Sequence, residues 1–151
     1  MAKMLTTPDD KRKHLEFLQG VINRMASNSF LFKGWSITII AGISAFAAKD
    51  SNPALMTIPI VSTLLFWAVD AYYLMLERAF RNHYKIVAKQ DPSKIDFNMK
   101  PASNDIKPTM WISTMKRPVL IMFYGVVLIM LLVLVFILNN YRVEVNFSHG
   151  A

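Results

Sequence analysis

The sequence predicts an all-α membrane protein with three transmembrane helices, and three observations predict this fold class. Hydrophobic residues make up 54% of the 151 residues, more than a water-soluble domain of this size usually carries. Three apolar stretches each reach roughly 20 residues, the length that an α-helix needs to cross a hydrocarbon layer about 30 Å thick. The Lys and Arg residues gather in segments that would lie on one side of such a layer.

The positions of the apolar stretches divide the chain into five segments. The third stretch is the most uniformly apolar; Pro118 suits its first helical turn, and Lys116 and Arg117 lie just before it, outside the hydrocarbon. The predicted segments are a cytoplasmic amphipathic helix (1–28), a transmembrane hairpin (29–76, with spans 29–48 and 54–76), a basic cytoplasmic helix and loop (77–117), a third transmembrane helix (118–138) and a short external tail (139–151).

The orientation is predicted from the 17 Lys and Arg residues. Fifteen of them lie in residues 1–33 and 77–117, one lies in the hairpin tip and one in the tail. Because cytoplasmic flanks retain positive charge, we expect the N-terminus inside, the C-terminus outside and a bacterial inner membrane as the location. The first 28 residues are polar and lack a cleavage site after an apolar core, so we expect no removable signal peptide and a chain that starts at Met1.

The N-terminal segment has a helix start and an apolar seam. Thr7 suits the N-cap and Pro8 the first turn. Residues that recur with 3,4 spacing form the seam: Leu15, Leu18, Ile22, Met25 and Ser29. The seam favours packing against a partner helix. The alternative is a helix that lies on lipid headgroups, because three cations at positions 11–13 would attract anionic lipid.

The second span is predicted to continue into the cytoplasm, because no proline or glycine interrupts residues 68–90. One face of this extension is apolar, and we expect it to pack against protein. The face consists of Tyr73, Leu76, Phe80, His83 and Val87. A second face is a basic stripe of four residues: Arg78, Arg81, Lys85 and Lys89. This stripe is either a solvated, positive-inside face or a surface for anionic ligands such as nucleotides, nucleic acid or lipid headgroups.

Two segments outside the spans alternate polar and apolar residues, which predicts short β-strands. Four prolines between residues 91 and 118 exclude a continuous helix there, and Lys94–Lys100 alternates within this loop. Tyr141–Phe147 alternates in the tail. Because a lone strand is unstable and the topology separates the two segments, another subunit would be the partner of either strand.

Two ionisable residues lie inside the predicted spans. Lys33 is four positions into the first span and Asp70 six positions from the inner end of the second, so the helical rise places them about 6 and 9 Å deep. At these depths the two side chains can meet. One interpretation is a structural salt bridge that closes the hairpin, and the other is an Asp70 that faces a water-filled vestibule on a cation path.

The first span also carries small residues and hydroxyls. Gly34 and Gly42 belong to a face of small residues that favours close helix packing. Ser36, Thr38 and Ser44 are candidates to line a polar conduit, although hydroxyls in helices commonly bond to their own backbone. We expect the first two spans to line such a conduit and the third to face lipid.

No motif in the sequence predicts catalysis, a metal site or a cofactor. The chain has no cysteine, and its three histidines, His14, His83 and His149, lack acidic or histidine neighbours at metal-ligand spacing. No phosphate loop, nucleophile elbow or carboxylate pair is present. We therefore expect a protein that is not an enzyme.

The stretch HLEFLQGVINRMASNSFLFKGWSITIIAGI, followed by LLFWAVDAYYLMLERAFRNHY, resembles the small transmembrane effectors of bacterial anti-phage defence. The plan is similar to the SLATT-like group: a cytoplasmic helix, a two-span hairpin and a charged helix that continues inward. Hailong-type and other nucleotide-controlled membrane effectors are similar in the same respects. The likeness covers residues 11–90, and the third span and the tail depart from the two-span plan.

The resemblance implies a homo-oligomer that permeabilises or depolarises the inner membrane when infection is sensed. It also implies control by a nucleotide or oligonucleotide that a partner enzyme synthesises. We take a tetramer as the working number of subunits and a channel as the leading hypothesis. The competing hypothesis is a non-conducting scaffold in the lipid bilayer that recruits a soluble partner through its cytoplasmic helices. A small transporter is disfavoured, because the spans are few and no internal repeat is visible.

Overall fold

A computed structural model describes residues 6–49 and 53–149, and the regular structure of this part of the chain is entirely helical. Three helices, Pro8–Lys49, Ala54–Lys89 and Pro118–Asn140, are long and apolar enough to cross a membrane. This confirms the all-α class and the three candidate spans, and it indicates a multi-pass membrane protein. The elements in chain order are α1 (Pro8–Lys49), a 3₁₀ turn (Pro53–Met56), α2 (Thr57–Lys89), two further 3₁₀ turns (Pro92–Lys94 and Ser103–Ile106), α3 (Pro108–Met115) and α4 (Pro118–His149).

Helix α1 begins where the sequence predicted. The Thr7 hydroxyl accepts a hydrogen bond from the Asp10 backbone N–H at 3.2 Å, and the Asp10 carboxylate accepts one from the Thr7 backbone N–H at 2.8 Å. This reciprocal arrangement satisfies two donors that the helix itself leaves open. The hydrogen bonds from Thr7 also lower the pKa of the Asp10 carboxyl, because they favour its charged form.

The described chain divides into two compact units. The first unit contains the described residues up to Phe30 together with Ala71–Thr114. Its core consists of buried Leu18, Val87 and Ile95, with partly buried neighbours that pack against them: Leu15, Phe80, Tyr84 and Met99. The apolar seam of α1 and the apolar face of α2 are therefore each other's partners within one chain.

The second unit contains Leu31–Asp70 and the described residues from Met115 onward. Its core is formed by Ile40 and Ala47 of α1, Met56, and two leucines of α4, Leu131 and Leu138. In the most apolar windows of the three candidate spans, only 17%, 28% and 17% of the residues are buried. The remaining apolar surface therefore requires lipid or another polypeptide to cover it.

The strand predicted at Lys94–Lys100 is wrong. After the 3₁₀ turn that ends at Lys94, the chain has no regular structure as far as Lys100. Ile95 is buried and Met99 packs against the same core, whereas Phe97 between them adopts a positive φ of 54° that breaks an extended run. The alternating pattern thus reflects two apolar residues that anchor an irregular loop to the core of the first unit.

The strand predicted at Tyr141–Phe147 is also wrong, because α4 continues without interruption to His149. No proline or glycine follows Gly125 in this helix, so no residue breaks the backbone hydrogen bonding after the predicted end of the span. Extending a helix that is already nucleated costs less than starting a separate strand, so alternation over a few residues did not determine the structure here.

Candidate functional site

The two ionisable residues of the spans form an ion pair in the second unit. The Lys33 Nζ atom lies 2.6 Å from Asp70 Oδ2. The Asp70 side chain has no solvent exposure, whereas 23% of the Lys33 side chain is exposed. The structure therefore brings together the two residues that the sequence placed at similar depths, and it encloses the carboxylate more completely than the ammonium.

Two aromatic residues complete this intramembrane cluster. The Tyr124 hydroxyl of α4 donates a hydrogen bond to Asp70 Oδ2 at 3.2 Å, and Tyr124 is itself fully buried. Trp67 stacks on Tyr124 with ring centroids 5.9 Å apart, and its indole N–H donates to the Met115 carbonyl oxygen at 3.1 Å. Sequence reasoning missed both residues, although a lone tyrosine hydroxyl in an apolar span must find an acceptor there.

This cluster joins all three candidate spans by polar contacts. Lys33 is on α1, Asp70 on α2 and Tyr124 on α4, and the carboxylate oxygen of Asp70 is common to both contacts. Opposite charges in contact reduce the cost of placing each in an apolar medium. The arrangement can therefore hold the three helices in register without leaving an isolated charge.

The three conduit candidates of α1 do not share one face. Ser36 is fully buried and donates to the Lys33 carbonyl oxygen at 2.8 Å, and Ser44 is also buried. Thr38 is exposed and donates to the Gly34 carbonyl oxygen at 3.2 Å. Two hydroxyls thus bond to their own helix backbone, whereas the Ser44 hydroxyl has no hydrogen-bond partner among the described residues.

The small-residue face of the first span remains open. A Cβ atom added at Gly34 or at Gly42 would meet no atom within 4 Å outside the helix's own backbone. Thr38, Ala41 and Ala45 on the same face are exposed. The close helix contact that these residues predict is therefore not made by any described part of the same chain.

All four residues of the basic stripe on α2 are exposed in the first unit. Arg81 forms an ion pair with Glu77 at 2.7 Å, the i,i+4 geometry that orients side chains along a helix. Arg81 and Lys85 also line a groove of about 370 Å³, the basic groove, together with Tyr84 and with Gln19 and Ile22 of α1. Arg78 and Lys89 are not among its lining residues. The sequence could not indicate Gln19 or Ile22, because only the pairing of α1 with α2 brings them there.

His14 and His83 of the first unit interact electrostatically, and we call these two residues the histidine cluster. His14 is 1% exposed, and neither ring nitrogen has a hydrogen-bond partner among the described residues. Its ring contacts that of Phe97 edge to face at 5.5 Å. Burial lowers the pKa of His14, the charge of His83 lowers it further, and the charge of Asp96 opposes both. No group of three metal-ligating side chains occurs among residues 6–49 and 54–140, whose side chains the structure describes.

The loop beside His14 is held by local hydrogen bonds. The His83 Nε2 atom lies 2.6 Å from the Asn98 carbonyl oxygen. The Asp96 carboxylate accepts from the Asn98 backbone N–H at 3.0 Å, and the Asn98 side chain accepts from the Lys100 N–H at 2.9 Å. The sequence showed three scattered histidines, but His14 lies one turn before Leu18 and therefore on the buried seam.

Comparison with known proteins identifies no relative. Searches with protein-family models, among curated proteins and among solved structures found no match to this chain.

Proposed function

We propose that this protein is a homo-oligomeric channel of the bacterial inner membrane that permeabilises or depolarises it in anti-phage defence. In this proposal the N-terminus and the basic stripe are cytoplasmic, and an anionic nucleotide, oligonucleotide or partner protein gates the channel. The observation that carries the proposal is the uncovered small-residue face of the first span. The resemblance to small transmembrane effectors supplies the biological context.

The small-residue face supports self-association. In lipid, helices associate where small residues allow backbones to approach closely, because apolar side chains gain little by leaving lipid for protein. Gly34 and Gly42 are two turns apart, and the described chain places nothing against either one. A second copy of the same helix is the partner that a homo-oligomer always provides.

The polar content of this face supports a conduit between copies. Thr38 lies at its centre, one turn from each glycine, and its hydroxyl is exposed. By contrast, the Asp70 carboxylate is enclosed within a single chain. Ions that pass between subunits would therefore meet Thr38 and the backbone carbonyl groups that small residues leave accessible.

The basic stripe supports gating by an anionic ligand. Its four cations are exposed and only Arg81 is paired with a carboxylate among the described residues. The positive electrostatic potential of these four cations attracts anions and raises their local concentration. Nucleotides and oligonucleotides are the ligands that the resemblance implies.

Membrane potential in bacterial cells tests the channel. High-level expression of the wild-type chain should depolarise the cells even without the gating ligand, because a small open fraction of a gated channel already conducts ions. A potential-sensitive dye reports the depolarisation. Gly42→Leu should abolish depolarisation because bulk on the small-residue face separates the copies. Gly125→Leu is the matched control, since an added Cβ there also meets nothing within 4 Å and the position is on α4. Equal effects of the two variants, or normal potential with the wild type, would contradict the proposal.

The alternative function is a non-conducting scaffold. It is supported by large apolar side chains that the first unit leaves exposed, such as Phe17 at 61% and Ile86 at 53%. Such side chains on an extramembrane surface are suited to a protein partner. A scaffold would leave the membrane potential unchanged in the experiment above, and its partner would be recovered from detergent extracts with wild-type protein but not with Phe17→Ser.

A further inference from the structure

The basic groove divides the stripe of α2 into two pairs of residues. Arg81 and Lys85 line the groove, whereas Arg78 and Lys89 lie on the same helix outside it. Helix α1 closes the opposite side with Gln19 and Ile22. A solvated basic stripe requires only one helix. Because α1 also lines the groove, Arg81 and Lys85 lie in a concave site, whereas Arg78 and Lys89 do not line it.

The polar groups of the groove are donors suited to an anion. Arg81 uses one terminal nitrogen on Glu77, which leaves the other N–H groups of its guanidinium for a ligand. Lys85 forms no ion pair among the described residues. The Gln19 amide donates one N–H to Asn23 at 3.1 Å and retains a second. No carboxylate lines the groove.

We propose that the basic groove binds a phosphate group carried on a small organic moiety. Arginine and lysine together are the cations that proteins use for phosphate, because the guanidinium offers parallel N–H groups and the ammonium a compact charge. The volume of about 370 Å³ exceeds what one phosphate fills and is in the range of small-molecule sites. Ile22 and the ring of Tyr84 provide apolar contact for the rest of the ligand.

A soluble phosphate compound and a lipid headgroup share this chemistry. Arg81 lies five residues beyond Leu76, the predicted end of the second span, and therefore about 7–8 Å past the hydrocarbon boundary. Lys85 lies about 6 Å further along the helix. The headgroup layer is about 5–7 Å thick on each side, so the position of the groove favours a soluble compound.

Binding can be tested with the full-length protein in a nonionic detergent. The probe is phenyl phosphate, measured by calorimetry at 150 mM salt, where screening weakens long-range attraction. The double variant Arg81→Gln/Lys85→Gln should weaken binding by about tenfold or more, since it removes two charge-assisted contacts. The matched control is Arg78→Gln/Lys89→Gln, which removes the same charge from the same helix and should weaken binding less than about threefold.

Two further variants separate a built site from a diffuse positive field. Gln19→Leu and Ile22→Ala alter the α1 side of the groove without changing its charge, and each should weaken phenyl phosphate binding. Equal losses of phenyl phosphate affinity in the two double variants would overturn the proposal. An affinity that is unchanged in both α1 variants would also overturn it. Absence of binding to the wild type would overturn it as well. Far-ultraviolet circular dichroism establishes that each variant remains helical.

A vesicle experiment distinguishes the two sources of phosphate. Intrinsic fluorescence of the protein is compared in phosphatidylcholine vesicles with and without phosphatidylglycerol. A response to phosphatidylglycerol that is lost only in Arg81→Gln/Lys85→Gln assigns the phosphate to lipid. Phenyl phosphate binding that is unchanged by phosphatidylglycerol assigns it to a soluble compound. Either result supports a phosphate site in the groove.

The regulatory role of this site rests on the proposed function, but its occupancy does not. If phenyl phosphate binds in detergent and expression fails to depolarise cells, the channel proposal fails and the groove remains a phosphate site. If expression depolarises cells and phenyl phosphate does not bind, the groove proposal fails alone.

Discussion

Removing either member of the Lys33–Asp70 pair should have unequal effects on stability. Lys33→Met leaves a fully enclosed carboxylate without its ammonium partner, whereas Asp70→Asn leaves an ammonium that is already 23% exposed. A lysine can extend its side chain toward the membrane interface, but a short, enclosed carboxylate cannot move in this way. The lysine variant should therefore be the less stable of the two.

The burial and hydrogen bonds of the two side chains allow the loss of stability in each variant to be estimated. Removing one partner from a buried ion pair typically costs about 3–5 kcal/mol. The hydrogen bond from Tyr124 still reaches Asp70 in Lys33→Met, so we expect a loss near the lower limit, about 3 kcal/mol. Asp70→Asn keeps an acceptor for Tyr124 and should cost about 1–2 kcal/mol. The double variant Lys33→Met/Asp70→Leu should recover at least half of the loss in Lys33→Met, because apolar replacements of a buried pair are often tolerated.

Unfolding in mixed micelles provides the assay. The protein is titrated with sodium dodecyl sulfate, and the transition is followed by circular dichroism and by tryptophan fluorescence, to which Trp67 beside Tyr124 contributes. A double variant less stable than Lys33→Met would refute the reasoning about burial. Unfolding of Asp70→Asn at a lower sodium dodecyl sulfate concentration than Lys33→Met would also refute it.

Three contacts of the first unit give further predictions. Burial and the charge of His83 lower the pKa of His14, so the unfolded state binds the proton more readily and stability should fall as pH drops below about 6.5; His14→Leu should flatten this dependence in thermal unfolding between pH 5 and 8. Lys11 donates to two carbonyl groups at the end of α2, and Lys11→Met should lower stability by about 1 kcal/mol, whereas exposed Lys13→Met should not. Thr7→Ala should cost about 1 kcal/mol and increase hydrogen exchange in the first turn of α1.

The sequence was most informative where a physical constraint admits few solutions. Three apolar stretches of membrane length predicted the three long helices, and Thr7 with Pro8 predicted the start of α1. The contact of Lys33 with Asp70 was predictable because opposite charges at similar depth in adjacent spans have few other partners. The prolines between α2 and α4 likewise excluded a continuous helix there, and the structure has two 3₁₀ turns and the eight-residue helix α3 in that segment.

The sequence was least informative where the result depends on how two helices align. The basic groove requires the register that places Gln19 beside Lys85, and the histidine cluster requires His14 to meet the loop after α2. Spacing within one helix contains no information about that register. The wrong strands have a related cause, because in Ile95–Met99 the apolar residues at both ends lie four apart, a spacing that suits several conformations.

The enclosed ion pair constrains where ions could pass. A path through Asp70 would first require the separation of Lys33 from it, at a distance of 2.6 Å and with the carboxylate fully buried. Breaking such a contact costs several kcal/mol unless water or another group replaces it. A path along the exposed face around Thr38 carries no such cost, because Thr38 is already at the surface of the chain. The pair is therefore better suited to fixing the three helices together, and the conduit of the proposed channel is better suited to a contact between copies than to the interior of one chain.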